Sequence, residues 1–176
     1  MMPSTPTDLL ERLRAAKFVV ALTGAGISAE SGVPTFRDAQ TGLWARYSPE
    51  DLATPQAFQR NPRMVWEWYR WRRQLVLEAE PGSGHAALVE LSRRFDNFRL
   101  ITQNVDGLHQ RAGSTGVVEL HGNLFRNLCA REGNEVEIDP EDLAIPPRCP
   151  QCGGPVRPGV VWFGEALAPS VLDAAS

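Results

Sequence analysis

Phe18-Val19-Val20-Ala21-Leu22-Thr23-Gly24-Ala25-Gly26-Ile27-Ser28-Ala29 is the stretch on which the fold turns. An apolar run from Phe18 stops at glycine, which reads as a strand buried on both faces of a parallel sheet. A helix is expected to open over residues 27–31. Between strand and helix lies a G-x-G-x-x-A pattern. Its glycines permit a tight turn and close backbone approach, and the helix N-terminus offers free N–H groups and a positive dipole end to a phosphate. A plain strand-to-helix turn would look the same, but the preceding strand favours dinucleotide binding. One expected mark is missing, because no acidic residue closes a second strand about 20 positions on.

The rest of the chain repeats this alternation. Residues 98–102 form a second short strand ending in the polar loop Gln103-Asn104-Val105-Asp106-Gly107, and residues 117–120 a third candidate before His121-Gly122. Strand character returns at 160–163. Helices are expected over residues 7–14, with Thr7 as N-cap, over 64–80 and over 85–94. The second carries Met64, Trp68, Trp71 and Leu75 at helical spacing and stops at Pro81-Gly82. Residues 32–62, rich in Pro, Gly, Thr and Asp, read as a long functional loop with short helical turns. Residues 123–157 turn polar, with Cys, Pro and Gly, as in a small inserted module held by something other than a large core. The final residues, 169–176, read as the opening of a helix. The pattern is α/β with a parallel sheet.

The chain has 176 residues, 43% of them apolar and 22% charged, with a formal net charge of -3. That composition excludes a disordered or fibrous chain. The weakly acidic balance gives no general electrostatic attraction to nucleic acid or to an anionic membrane. Of the 18 basic residues only Lys17 is lysine, and the arginines are scattered. No stretch approaches the ~20 apolar residues of a membrane span, and residues 1–17 lack the pattern of a secretory signal. A cytoplasmic, reducing location is the expectation.

Several groups could carry chemistry. In Pro34-Thr35-Phe36-Arg37-Asp38, an arginine near a phosphate site can pair with a pyrophosphate, and an aromatic ring can keep water from a reactive centre; a capped surface turn is the plainer reading. Gln103, Asn104 and Asp106 follow a parallel strand, so they face the crevice where open α/β sheets bind ligands, although Asn and Asp also favour turns. His121, at the end of the third strand, can serve as a general base or simply as a structural histidine. Three cysteines make a poor disulfide framework, whereas Cys149-Pro150-Gln151-Cys152 has metal-binding spacing and Cys129 can add a third thiolate. Where a second C-x-x-C would complete a zinc site stands Cys129-Ala130-Arg131-Glu132. The fourth ligand is open between Glu132, Glu135 and none.

Taken in order, Gly24-Ala25-Gly26-Ile27-Ser28, Pro34-Thr35-Phe36-Arg37, Gln103-Asn104-Val105-Asp106, His121-Gly122, the cysteine module and Val161-Trp162-Phe163-Gly164-Glu165 resemble the sirtuin family of NAD-dependent protein lysine deacylases. The resemblance implies a Rossmann-like NAD-binding domain at residues 1–122 and 158–176, with a loop and helical insert at 33–95. It also implies a small zinc-ribbon-like module at 123–157. Gly24, Ala25, Gly26 and Ser28 would lie along the dinucleotide, joined by Thr35 and Trp44. Phe36 would cover the nicotinamide ribose and Arg37 the phosphates. Gln103 and Asn104 would hold the ribose, and Asp106 the nicotinamide carboxamide. Cys129, Cys149 and Cys152 would bind zinc, and Val161, Phe163, Gly164 and Glu165 would pair with an acyl-lysine peptide as an added strand.

The chemistry implied is acyl transfer to ADP-ribose. The acyl oxygen of the modified lysine attacks C1′ of the nicotinamide ribose and expels nicotinamide. His121, as general base, then takes a proton from a ribose hydroxyl that attacks the imidate carbon, and water releases free lysine and O-acyl-ADP-ribose. Tyr69 and Arg72, three apart on one helix face, match the Tyr-x-x-Arg pair of desuccinylase and demalonylase sirtuins. Arg72 would bind the acyl carboxylate, Tyr69 would add a hydroxyl, and Ala39 would leave room for the longer chain. Because Arg70 and Arg73 flank it, Arg72 can also be read as part of a basic surface. The family continues beyond the Phe-Gly-Glu segment, so this chain is expected to be truncated at its C-terminus and its sheet incomplete. A catalytically impaired NAD-binding fragment and a mono-ADP-ribosyltransferase are the rival readings.

Overall fold

The computed structural model describes residues 7–33, 46–139 and 143–176. Its organising element is a parallel sheet of order β1-β2-β3 (Val19–Thr23, Phe98–Thr102 and Val118–Glu119). Val19 lies opposite Phe98 and Thr23 opposite Thr102, and Ile101 and Thr102 continue onto Val118 and Glu119. Parallel neighbours need a crossover between them, here the helices α2 (Ala25–Ala29), α3 (Pro49–Leu52), α4 (Pro55–Arg60), α5 (Pro62–Glu78) and α6 (Ser83–Ser92) between β1 and β2, then α7 (Leu108–Arg111) before β3. The Rossmann-like parallel arrangement expected from the sequence is present.

Several boundaries differ from the sequence reading for identifiable reasons. β1 is buried on one face only. Val19 is buried, whereas Phe18, Val20 and Leu22 are 52, 51 and 62% exposed, because no described residue covers that face. β2 instead buries three consecutive residues, Leu100, Ile101 and Thr102. The helix after the glycines opens at Ala25 rather than Ile27 and lasts only five residues. α5 starts two residues early because Pro62 occupies its first turn, where the missing proline N–H costs nothing, and the Asn61 side chain accepts the N–H of Met64. In α1 (Thr7–Ala15), Thr7 is inside the helix and not before it.

The expected helical turns within 32–62 are α3 and α4. Ser48 and Asp51 form a capping box at α3, and Thr54 accepts the Ala57 N–H at α4, so each turn carries its own start signal. The main core packs α3, α4 and α5, through Leu52, Ala57, Phe58, Val65 and Trp68, against Leu108, Leu124 and Trp162, which follow the strands of the sheet in the chain.

β4 (Gly122–Cys129) and β5 (Val156–Val160) form an antiparallel pair, Leu128 opposite Arg157 and Cys129 opposite Val156, with an irregularity between Gly122 and Asn127. A second, smaller core gathers Trp66, Cys129, Val136, Cys149 and Val156. Gly122 has φ +76°, and a Cβ there would collide with the Gly159 carbonyl oxygen. Only glycine lets β4 leave β3 and meet β5 directly after His121. The strand expected at 160–163 ends at Val160. Val161 donates its N–H to the His121 carbonyl, Phe163 to Ala53, and Trp162 to the Glu165 carboxylate, so these groups leave the ladder and 162–165 folds as a turn. The chain closes on α8 (Pro169–Ala175). Among the described residues no helix is long and apolar enough to cross a membrane.

Candidate active site

The residues immediately after β1, β2 and β3 converge on one cavity of about 530 Å³, closed on its other side by α5 and by the turn after β5. Ala25 and Ser28 come from the first crossing, Gln103, Asn104 and Asp106 from the second, and His121 from the third. This is where open α/β sheets place ligands.

One hydrogen-bonded cluster ties the first two together. Asp106 is buried; its Oδ2 accepts the Ser28 hydroxyl at 2.7 Å and its Oδ1 the Leu108 N–H at 2.9 Å. The Asn104 amide donates to the Gly24 carbonyl and to Ser28 Oγ, both at 3.0 Å. The loop after β1 is thus fastened to the loop after β2 by side chains 76 to 80 residues apart in sequence. Gly24 has extended backbone, φ −144°. A Cβ on Gly26 would meet nothing, and one on Gly24 only Gln103 Nε2 at 4.0 Å. Among the described residues these glycines relieve no clash; what they leave is open space for a ligand to approach the backbone.

His121 lines the cavity with its Nδ1 2.9 Å from the Gln103 carbonyl oxygen. A carbonyl only accepts, so Nδ1 carries the proton and Nε2 of the neutral ring is left as the basic nitrogen. Opposite, Tyr69 and Arg72 project from α5 into the same cavity. The Tyr69 hydroxyl accepts the indole N–H of Trp162 at 3.0 Å, and burial pushes its pKa up to about 12, so it stays a neutral hydroxyl. The Arg72 guanidinium lies 5.1 Å over the Trp68 ring, and burial lowers its pKa from the usual arginine value. Its flanking arginines go elsewhere. Arg70 is exposed, and Arg73 donates to the Arg126 carbonyl and to Asn127.

At the rim, Arg157 holds Glu165 through two contacts of 2.6 and 2.9 Å and lies 3.5 Å over the Trp162 ring. Burial acts to raise the Glu165 carboxyl, but Arg157 and the Trp162 N–H outweigh it and hold the pKa below the ordinary glutamate value.

The Sir2 family profile matches residues 24–176. The chain belongs to the Sir2 family. It is 58% identical over 158 residues to an NAD-dependent protein deacylase of Aquifex aeolicus, covering 89% of this chain and 66% of that protein. A crystal structure of a Sir2 homologue in complex with NAD superposes with TM-score 0.87 and 51% identity, over 98% of this chain and 67% of that one. A Sir2 protein bound to an acetylated peptide superposes with TM-score 0.81 and 32% identity, over 96 and 68%. The chain therefore spans about two thirds of the length of the relatives it matches.

Within this Sir2 fold the three cysteine sulfurs lie within 4.8 Å of one another, Cys129 and Cys152 at 3.4 Å. Three clustered soft thiols suit zinc. Backbone N–H groups of Glu132 and Gly154 point at Cys129 and Cys152, and the first of these holds the Cys129 thiol below its usual pKa. Neither Glu132 nor Glu135 joins the cluster, and no other carboxylate among the described residues does.

Most residues singled out from the sequence converge on the Sir2 cavity. Gly24 and Gly26 flank its lining residue Ala25, and Val161, Phe163, Gly164 and Glu165 line it as a turn rather than as the expected strand. Thr35, Phe36, Arg37, Ala39 and Trp44 lie outside the described residues.

Sequence reasoning missed Trp162, which positions Tyr69, and a layer beneath the site. There His109 Nε2 lies 2.9 Å from Thr23 Oγ1, which donates to Thr102 Oγ1, itself the acceptor of the Asn104 N–H. His85 stacks edge-on against His109 at 4.8 Å. The available signal was scarcity: the chain has three histidines, and all three lie in or under the site.

Proposed function

We propose that this chain performs NAD-dependent deacylation of protein lysines, favouring succinyl and malonyl over acetyl groups. The observation that carries the reading is His121, held by Gln103 with Nε2 as its basic nitrogen in the cavity where Ser28, Asn104 and Asp106 also converge. Bound NAD would supply an electrophilic ribose carbon with nicotinamide as leaving group, and a ribose hydroxyl that accepts the acyl group.

The chain's own residues supply binding and proton transfer. Ala25, Gly26 and Ser28 take the dinucleotide, with Gly24 and Gly26 leaving room for close backbone approach. Gln103 and Asn104 orient the ribose, and Asp106 receives the carboxamide; each of its oxygens already accepts one bond and keeps a second lone pair. Thr35, Phe36, Arg37 and Trp44 complete the cofactor side. His121 Nε2 accepts the proton of a ribose hydroxyl, contributing about 10²–10⁴-fold.

An acylated peptide or protein lies along residues 161–165. The N–H groups of Val161, Trp162, Phe163 and Glu165 are already engaged within the chain, so the peptide is held mainly by carbonyls. The acyl carboxylate meets Arg72, a charge-assisted contact, and the Tyr69 hydroxyl, with Ala39 leaving space for the chain. Zinc, held by Cys129, Cys149 and Cys152, pins the β4–β5 unit beneath this rim. No nucleic acid or membrane partner is proposed, and the location is cytoplasmic.

The test is to incubate the chain with NAD and succinyl-lysine or acetyl-lysine peptide, following nicotinamide and peptide mass. Peptide-dependent nicotinamide release with loss of the acyl mass is expected, and His121→Tyr should abolish it. Nicotinamide release with mass added to a protein would assign a mono-ADP-ribosyltransferase. No release would leave an NAD-binding module without catalysis.

A further inference from the structure

The cysteine module contains two equivalent turns. In Cys149-Pro150-Gln151-Cys152-Gly153, the Gly153 N–H donates to the Cys149 carbonyl at 2.9 Å and Gly153 has φ +68°. In Cys129-Ala130-Arg131-Glu132-Gly133, the Gly133 N–H donates to the Cys129 carbonyl at 2.8 Å and Gly133 has φ +75°. Both are single turns closed on a left-handed glycine, a conformation that favours glycine at that place. The first cysteine of each is buried, Cys149 at 2% and Cys129 at 0% exposure. The turns face one another, since the Asn134 amide donates to Gln151 Oε1 at 3.0 Å and Arg131 to the Cys152 carbonyl at 3.3 Å. In this register Cys149 corresponds to Cys129, and Cys152 to Glu132.

We propose that Glu132 is the fourth ligand of the zinc site, which is therefore three thiolates and one carboxylate. The inference rests on the reading of the cysteine cluster as a zinc site. Structural zinc sites are four-coordinate and closed, and carboxylate oxygen is among the ligands zinc accepts. Two ligands from each of two equivalent turns is how such a set is assembled, and Glu132 stands where the second ligand of its turn belongs. A carboxylate also gives the site the same net charge as a fourth thiolate would, which a water molecule does not. Glu132 is exposed and its carboxylate stands outside the thiol set in this structure. Its backbone N–H already points at Cys129 Sγ, 3.4 Å away, which places residue 132 beside the thiols; ligation brings its side chain round to them. Glu135 has no such register. It bridges to Leu128 in extended backbone and belongs to neither turn.

The experiment uses the whole 176-residue chain and reads metal binding rather than activity. Zinc affinity is measured by competition with a chromophoric chelator for the parent, Glu132→Ala and Glu132→Cys, and the same proteins are loaded with cobalt for absorption spectra. The expected result is an affinity loss of at least about tenfold in Glu132→Ala, since even ligand-supporting groups contribute that much. Glu132→Cys should retain the metal and gain roughly a third more thiolate-to-cobalt charge-transfer intensity, from the added thiolate. An affinity in Glu132→Ala within twofold of the parent overturns the proposal, as does an unchanged spectrum in Glu132→Cys. The Glu132→Cys spectrum keeps the proposal testable even if Glu132→Ala does not fold. A parent that binds no stoichiometric zinc overturns the zinc reading itself, a separate outcome from a zinc-loaded parent indifferent to residue 132.

Discussion

His121 holds its Nδ1 2.9 Å from the main-chain carbonyl oxygen of Gln103, and that single contact determines which ring nitrogen is basic. Heteronuclear NMR of the imidazole nitrogens at neutral pH should show the Nδ1–H tautomer for this residue. Replacing His121 with Gln, which keeps a donor but no base, should lower peptide-dependent nicotinamide-linked turnover by about 10²–10⁴-fold. NAD binding by calorimetry should change little. A matching collapse of NAD affinity would mean that His121 shapes the site rather than moving a proton.

Asp106 is engaged on both oxygens, by the Ser28 hydroxyl and the Leu108 N–H. An amide in its place can accept at only one of them. Asp106→Asn should therefore leave a buried donor without its acceptor and cost about 1–3 kcal/mol of stability, read as a lower urea midpoint, together with weaker NAD binding.

Arg72 faces the cavity while Arg70 and Arg73 do not. Hydrogen bonds to charged groups contribute about 1.5–3 kcal/mol. Arg72→Ala should thus lower desuccinylation by roughly 10–150-fold relative to deacetylation, measured as the ratio of kcat/KM on matched peptides. An equal fall on both substrates would sink the acidic-acyl reading.

His85 and His109 are buried against each other. Burial holds both imidazoles below the ordinary histidine pKa, and His85 lowers His109 further; Asp106 opposes the shift for both, and Glu30 for His85. The unfolded chain then binds more protons than the folded one below about pH 6.5. Stability is fully present above that value and is lost as pH falls through the folded pKa values. The urea midpoint should drop between pH 7.5 and 5.5, and drop less in His109→Gln. Glu165 and Asp51, each held below its own ordinary pKa, add to acid sensitivity only at lower pH.

Much of this molecule follows from local pattern alone. An apolar run ended by Gly24, a second ended by Gln103 and a third before His121 are strand signals with polar residues at one end. A parallel sheet brings such ends to one place whatever the details between. The C-x-x-C spacing marked the metal module for a similarly local reason. Element ends were less legible, because the Asn61 side chain at a helix start and the carboxylate of Glu165 at a strand end act through hydrogen bonds that composition does not display.

Tertiary structure alone decided the rest, because each decision is a hydrogen bond or contact between residues far apart in the chain. The tautomer of His121 depends on a carbonyl 18 residues away, and the placement of the Tyr69 hydroxyl on an indole 93 residues away. The burial of His85 and His109 depends on two helices meeting under the sheet. The C-x-x-E spacing was visible in the sequence, but setting Glu132 apart from Glu135 needed both turns to be seen closing on their glycines. Sequence determines which donors and acceptors exist and where the chain can turn. Strand register and helix packing determine which of them meet, and here that pairing sets the chemistry of the site.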